Sequence, residues 1–187
     1  MAREPKNLNL IKSKEGVINL HETLFQRRTL FLTDVVEPGL IEELIKQLLI
    51  LDSLNNDPIY LYVSSPGGDV SEGFTLIDVI KNLKSKVITV ATGTVASMAT
   101  LIFISGKERV CYKHSIFMFH DMFAGGADYS AKLKARMEFY DKEYKVLEKH
   151  IIEHTKLTPQ DCETMRSGEL WLFAEEAKAK GLVDTIL

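Results

Sequence analysis

Apolar positions recur at two spacings along the chain, and the changes between them mark out its elements. Leu40, Ile41, Leu44, Ile45, Leu48 and Leu49 step by three and four behind Pro38, which predicts an amphipathic helix with proline in its first turn. Asn55-Asn56-Asp57-Pro58 stops that helix. Ile59, Leu61 and Val63 then alternate with Tyr60 and Tyr62, the period of a strand. Residues 70–83 return to helical spacing, with Phe74, Ile77 and Ile80 on one face. Residues 29–32, 87–91 and 116–119 read as further short strands. Leu133, Met137, Tyr140, Tyr144, Leu147 and Ile151 predict one long helix over about residues 131–154. Its stripe serves either core packing or contact with another subunit. Thr158 and Pro159 start another helix, and residues 174–180 form a last short one closed by Gly181.

Strand, turn, helix, strand, turn, helix from 59 onward is a repeated βαβ arrangement. In such sheets ligands collect at the carboxyl ends of the strands. Two Gly- or small-residue segments fall there. Ser64-Ser65-Pro66-Gly67-Gly68-Asp69 follows one strand, and Gly93-Thr94-Val95-Ala96-Ser97-Met98 follows the next. We read 93–98 as a turn that opens a helix and sets the Ser97 hydroxyl at its N-terminus, where free N–H groups hold developing negative charge. The N–H groups of Gly68 and Met98 are the candidate oxyanion donors. Serine needs a base within reach. Of the five histidines, His120 ends the apolar strand 116–119. These residues point to a serine hydrolase. The G-x-S-x-G elbow of α/β-hydrolases is absent, because Val95 and Ala99 stand at its glycine positions.

Composition narrows the classes. A chain of 187 residues with 45% hydrophobic and 26% charged residues supports one sizeable core. The net charge of -3, without a basic block, gives no case for nucleic acid. Two cysteines, Cys111 and Cys162, exclude a disulfide scaffold and suit a reducing compartment. No apolar run is long enough for a bilayer, and residues 1–5 lack the apolar core of a signal peptide. The expectation is a cytoplasmic protein with neither membrane nor nucleic-acid partner. One rival motif, His150-Ile151-Ile152-Glu153-His154, matches the H-x-x-E-H of some zinc peptidases. No carboxylate downstream completes it convincingly, so the expected metal is none.

From about Leu24 to Leu187 the chain closely resembles the ClpP family of Clp-protease proteolytic subunits. The resemblance rests on 59–63 with Ser65-Pro66-Gly67-Gly68, on 93–98, on Phe117-Met118-Phe119-His120, and on Ala174-Glu175-Glu176-Ala177 with Gly181-Leu182-Val183-Asp184. It implies an α/β ClpP/crotonase-type fold, with residues 1–20 as an axial segment, 21–187 as one peptidase domain, and the long helix as a handle between rings. It implies Ser97 as nucleophile, His120 as base and Glu169 in the place of the usual aspartate, with Asp121 and Asp161 as weaker substitutes and a Ser–His dyad as the alternative. Substrate would lie along Gly67, Asp69, Val70, Ala124, Gly125 and Gly126. Asp121-Met122 departs from the family's Gln-Pro, and the segment between Ser97 and His120 is about two residues shorter than usual. No cofactor is implied, since ATP belongs to a partner. That partner is an AAA+ Clp unfoldase docking on Tyr60, Tyr62, Val90, Val110, Tyr112 and Leu187, over two stacked seven-membered rings that degrade unfolded polypeptides. A non-catalytic ring subunit and a crotonase-like acyl-CoA enzyme are the rivals sharing this fold.

Overall fold

The computed structural model describes residues 10–13, 16–122 and 130–187. A hairpin of β1 (Leu10–Ser13) and β2 (Gly16–Asn19) leads into α1 (Leu20–Gln26). Then follow β3 (Thr29–Leu32), α2 (Pro38–Leu54), β4 (Ile59–Ser65), α3 (Val70–Asn82), β5 (Val87–Ala96), α4 (Met98–Ile104) and β6 (Glu108–Cys111). The chain continues through β7 (Ile116–His120), α5 (Ser130–His154), α6 (Pro159–Ser167), β8 (Glu169–Phe173), α7 (Ala174–Ala179) and β9 (Thr185–Ile186). The fold is mixed α/β, as the sequence predicts. A parallel sheet runs β3-β4-β5-β6-β9, and β7 branches from β5 carrying antiparallel β8.

The alternation in β4 divides the two faces of this sheet. Ile59, Leu61 and Val63 are fully buried, with Leu30 and Leu32 from β3 and Ala91 and Cys111 beyond them. On the opposite face one register row runs Phe31, Tyr62, Val90, Val110. The buried face meets α2 through Ile41, Leu44, Leu48 and Leu51, and α3 through Leu76 and Ile77, in one continuous core. Buried Arg28, itself at a positive φ of 56°, ties the end of α2 to this frame. Its guanidinium donates to the carbonyls of Leu51, Asn55, Asp57 and Pro58 and to Ser85 Oγ. A cation at a helix C-terminus with five acceptors is satisfied without a carboxylate.

One expectation about local structure is corrected. Residues 93–96 are not a turn: β5 runs on to Ala96, and only Ser97 turns. The strand changes partners along its length. Ile88 to Ala91 pair with β6, while Thr94, Val95 and Ala96 pair with Ile116, Phe117 and Met118 of β7. Gly93 lies at the changeover, where a Cβ would sit 2.8 Å from Ser64 Oγ. Its small size there serves a close strand approach rather than a reversal. The pairing of β1 with β2 has no counterpart in the sequence analysis.

Candidate functional site

Ser97 sits between β5 and α4 with φ 54° and ψ -130°. A residue with a Cβ holds that conformation only when its surroundings fix it. Here the Ser97 N–H donates to Met118 O at 2.8 Å, and the Ser97 carbonyl accepts from Thr100 N–H at 3.0 Å. Val95 and Ala96 are buried before it, and every residue of α4 is buried after it. The side chain makes no capping bond; Ser97 is half-exposed, and its hydroxyl has no hydrogen bond among the described residues.

Gly67 and Gly68 bring the second segment against this turn. Both have positive φ, 89° and 150°. A Cβ on Gly67 would lie 2.7 Å from Ala96 O and from Ser97 Cβ, so no other residue allows this approach. Ser65 Oγ accepts from Gly67 N–H and donates to Asp34 O, closing the Ser-Pro-Gly-Gly turn. A parallel bridge to Val36 uses the Gly67 carbonyl and the Asp69 N–H. The N–H groups of Gly68 and Met98 have no backbone acceptor among the described residues. The Met98 side chain seats against α3, where a Cβ on Gly73 would overlap it at 2.3 Å.

His120 ends β7, whose register on β5 sets it beside the Ser97 turn. Glu169 stands directly opposite His120 in the antiparallel β7–β8 pair. Directly opposed residues project to the same face with Cβ atoms about 5 Å apart. Phe117, Phe119 and Leu172 point to the core from this ribbon, while His120 and Glu169 point out with Met118 and Trp171. In this conformation Glu169 Oε2 accepts from Trp171 Nε1 at 2.8 Å, and no hydrogen bond joins Ser97 to His120 among the described residues. Asp121 accepts from Met122 N–H, and Asp161 is held in the Thr158 capping box and by Lys180 at 2.6 Å; neither bonds His120 among the described residues.

Ser97, Met98, His120, Gly67, Gly68, Asp69 and Val70 all line one cleft of about 630 Å³. Glu169 does not line it, and Ala124, Gly125 and Gly126 lie outside the described residues. The wall that the sequence reading missed belongs to α5 and α6: Tyr140, Glu143, Tyr144, Glu148 and Met165. The signal was present as carboxylates interleaved with the stripe from Tyr140 to Ile151. On the far face of the sheet, Tyr60, Tyr112 and Leu187 are exposed, Tyr62 and Val110 are half-buried, and Val90 is buried between them. Tyr62 stacks on Phe31 with ring centroids 5.4 Å apart.

The H-x-x-E-H motif is a packing device. His150 is buried, its Nε2 sits 2.9 Å from Ser105 Oγ, and its ring stacks on His154 at 4.2 Å. Burial first, then the charges of His154 and Lys81, lower its pKa to about 4, which keeps the imidazole neutral. Glu153 turns to solvent and pairs with Lys149 at 3.7 Å. With one nitrogen bonded to Ser105 and the carboxylate directed away, this set does not converge on a common point.

Comparison with known proteins identifies the family. A family model described as Clp protease matches residues 12–187. The chain is 35% identical over 179 residues to the ATP-dependent Clp protease proteolytic subunit 2 of Prochlorococcus marinus (strain NATL2A), covering 92% of this chain and 88% of that one. It is 32% identical over 187 residues to proteolytic subunit 3 of Rhizobium meliloti (strain 1021), covering 99% and 94%. It is also 32% identical over 178 residues to the proteolytic subunit of Streptococcus gordonii (strain Challis), covering 92% and 91%. With its βαβ sheet, its Gly-Gly turn against Ser97 and a match spanning nearly its whole length, the chain belongs to the Clp protease family.

Proposed function

We propose that this chain is a serine endopeptidase, the proteolytic subunit of an ATP-dependent Clp protease. The observation that carries the reading is the meeting, in one cleft, of a constrained Ser97 with a free hydroxyl, His120, and the N–H groups of Gly68 and Met98. Ser97 Oγ attacks the peptide carbonyl while His120 takes its proton. The two N–H groups hold the oxyanion, and losing one such donor typically costs about a hundredfold in rate. His120 then protonates the leaving amine, and water releases the acyl group by the same steps. Glu169 orients the imidazole and stabilises its cation; its position opposite His120 supports this role. Its present bond to Trp171 and the open Ser97–His120 pair describe a site whose catalytic hydrogen bonds tighten on substrate binding.

Cleavage by this route needs no cofactor. The substrate backbone lies along Gly67, Asp69 and Val70, with Ala124, Gly125 and Gly126 as the opposite edge for strand addition. Two stacked seven-membered rings enclose the sites, with residues 1–20 as an axial segment and α5 as the handle. A Clp unfoldase supplies unfolded polypeptide by docking on the face of Tyr60, Tyr62, Val90, Val110, Tyr112 and Leu187, where aromatic rings offer large area with few rotors. Two unpaired buried thiols suit a cytoplasmic setting. No helix among the described residues is long and apolar enough to cross a membrane. The test is a pair of variants assayed on a short fluorogenic peptide. Ser97→Ala and His120→Ala should each abolish cleavage with the fold retained, and the double variant should lose no more than either alone. Full activity in purified Ser97→Ala protein overturns the serine mechanism.

A further inference from the structure

The candidate cleft has a charge that hydrolysis itself does not require. Its floor is apolar and buried, built from Met98, Leu101, Leu147, Ile151 and Met165. Its mouth carries Asp69, Asp121, Glu143 and Glu148, and no lysine or arginine among the described residues lines it. Asp69 and Asp121 are partly occupied, by Glu72 N–H at 2.9 Å and Met122 N–H at 2.8 Å. Glu143 and Glu148 both line the cleft from α5 and are half-buried, and neither has a hydrogen-bond or cation partner among the described residues. Burial, then the charge of Asp69, pushes the Glu143 carboxyl above its ordinary range, the mark of a carboxylate short of a counter-ion.

We propose that Glu143 and Glu148 make the cleft selective for substrates that present a lysine or arginine side chain beside Ser97, and against acidic ones. The inference rests on the reading of this cleft as the peptide-cleavage site. The cavity and the Ser97 hydroxyl define the site, and the carboxylates set its preference. A lysine or arginine lays its apolar stem along the buried floor and carries its cation to the mouth. There it meets two unpaired carboxylates in a partly desolvated setting, where attraction exceeds its strength in bulk water. An aspartate or glutamate in the same place adds a further like charge to four, which is discrimination by repulsion as well as attraction.

The test uses three peptides that differ only in the residue before the scissile bond: lysine, methionine or glutamate. Cleavage is measured with the full chain, and binding with the Ser97→Ala chain by fluorescence anisotropy, which reads the cleft without the chemistry. The lysine peptide should exceed the glutamate peptide by at least about tenfold in both measurements. In Glu143→Gln/Glu148→Gln protein that ratio should collapse toward one, and Glu143→Lys should favour the glutamate peptide. A ratio near one in the parent chain, or one untouched by these substitutions, overturns the inference. Cleavage of the methionine peptide without charge preference leaves the peptidase reading standing and removes this inference alone. Charge-selective binding with no cleavage of any peptide does the reverse.

Discussion

Ser97 combines a costly backbone with an unused side chain. Its positive φ carries a penalty of about 1–3 kcal/mol, and the hydroxyl makes no capping bond that would compensate. The bond to Met118 O, buried Val95 and Ala96, and Gly67 pressed against the turn hold it in place. Glu169 is the residue whose role depends most on a change of partner. It faces His120 across β7–β8 but bonds Trp171. If it orients His120, Glu169→Gln should lower the peptidase rate at least about tenfold, with little change in stability. Glu169→Asp keeps the charge and should retain more activity than the amide. Steady-state kinetics on both variants decides this, and equal near-parental rates for the two would mean that His120 works without it.

At the scale of elements, α5 buries side chains in its C-terminal half. Leu147, His150 and Ile151 are buried, whereas Met137 and Phe139, nearer its start, are exposed. This packing is polar at its centre, because His150 meets Ser105 at the end of α4 and packs its ring edge-on to Phe74 of α3. Its folded pKa of about 4 lies below the ordinary 6.5, so between those values the unfolded chain binds a proton that the folded chain does not. This contribution is complete above pH 6.5 and lost as pH falls toward 4; by pH 5 the loss is roughly 2 kcal/mol. His150→Leu should flatten that part of the pH–stability curve, since Ser105 Oγ still donates to Leu101 O at 2.8 Å. Thermal unfolding at pH 7 and pH 5 for both proteins reads the difference.

Most elements were legible because their signals are local. The period of two in 59–63 gave β4, Pro38 and Asn55 bounded α2, and Thr158 with Pro159 began α6 with a capping box. What was not legible depends on partners distant in sequence. The extension of β5 through Gly93 requires β7 beside it, and nothing in the run Gly-Thr-Val-Ala announces that pairing. The same limit applies to the site. Ser97, His120 and the two glycines stand in short local motifs, and the fold brings them to one cleft. The acidic wall comes from α5 crossing the cleft, which no single segment encodes.

Among the described residues, apolar side chains are exposed at several places. The outer sheet face exposes Phe31, Tyr60, Tyr112 and Leu187, α2 exposes Leu49, Ile50 and Leu54, and the first half of α5 exposes Met137 and Phe139. Several such patches on one chain fit a subunit that is covered on more than one side. Sedimentation velocity at working concentration should therefore show a ring-sized particle, many times the 21.1 kDa chain mass. An active species sedimenting as a monomer would refute the enclosed chamber.

Everything proposed for the cleft depends on Ser97 acting as the nucleophile of a peptidase. Labelling the intact protein with a fluorophosphonate, followed by peptide mass spectrometry, tests it most directly. A single adduct on Ser97 is expected, formed in step with the loss of peptide cleavage and absent from His120→Ala protein. Peptide cleavage that persists undiminished under the reagent, with no adduct on Ser97, would contradict it.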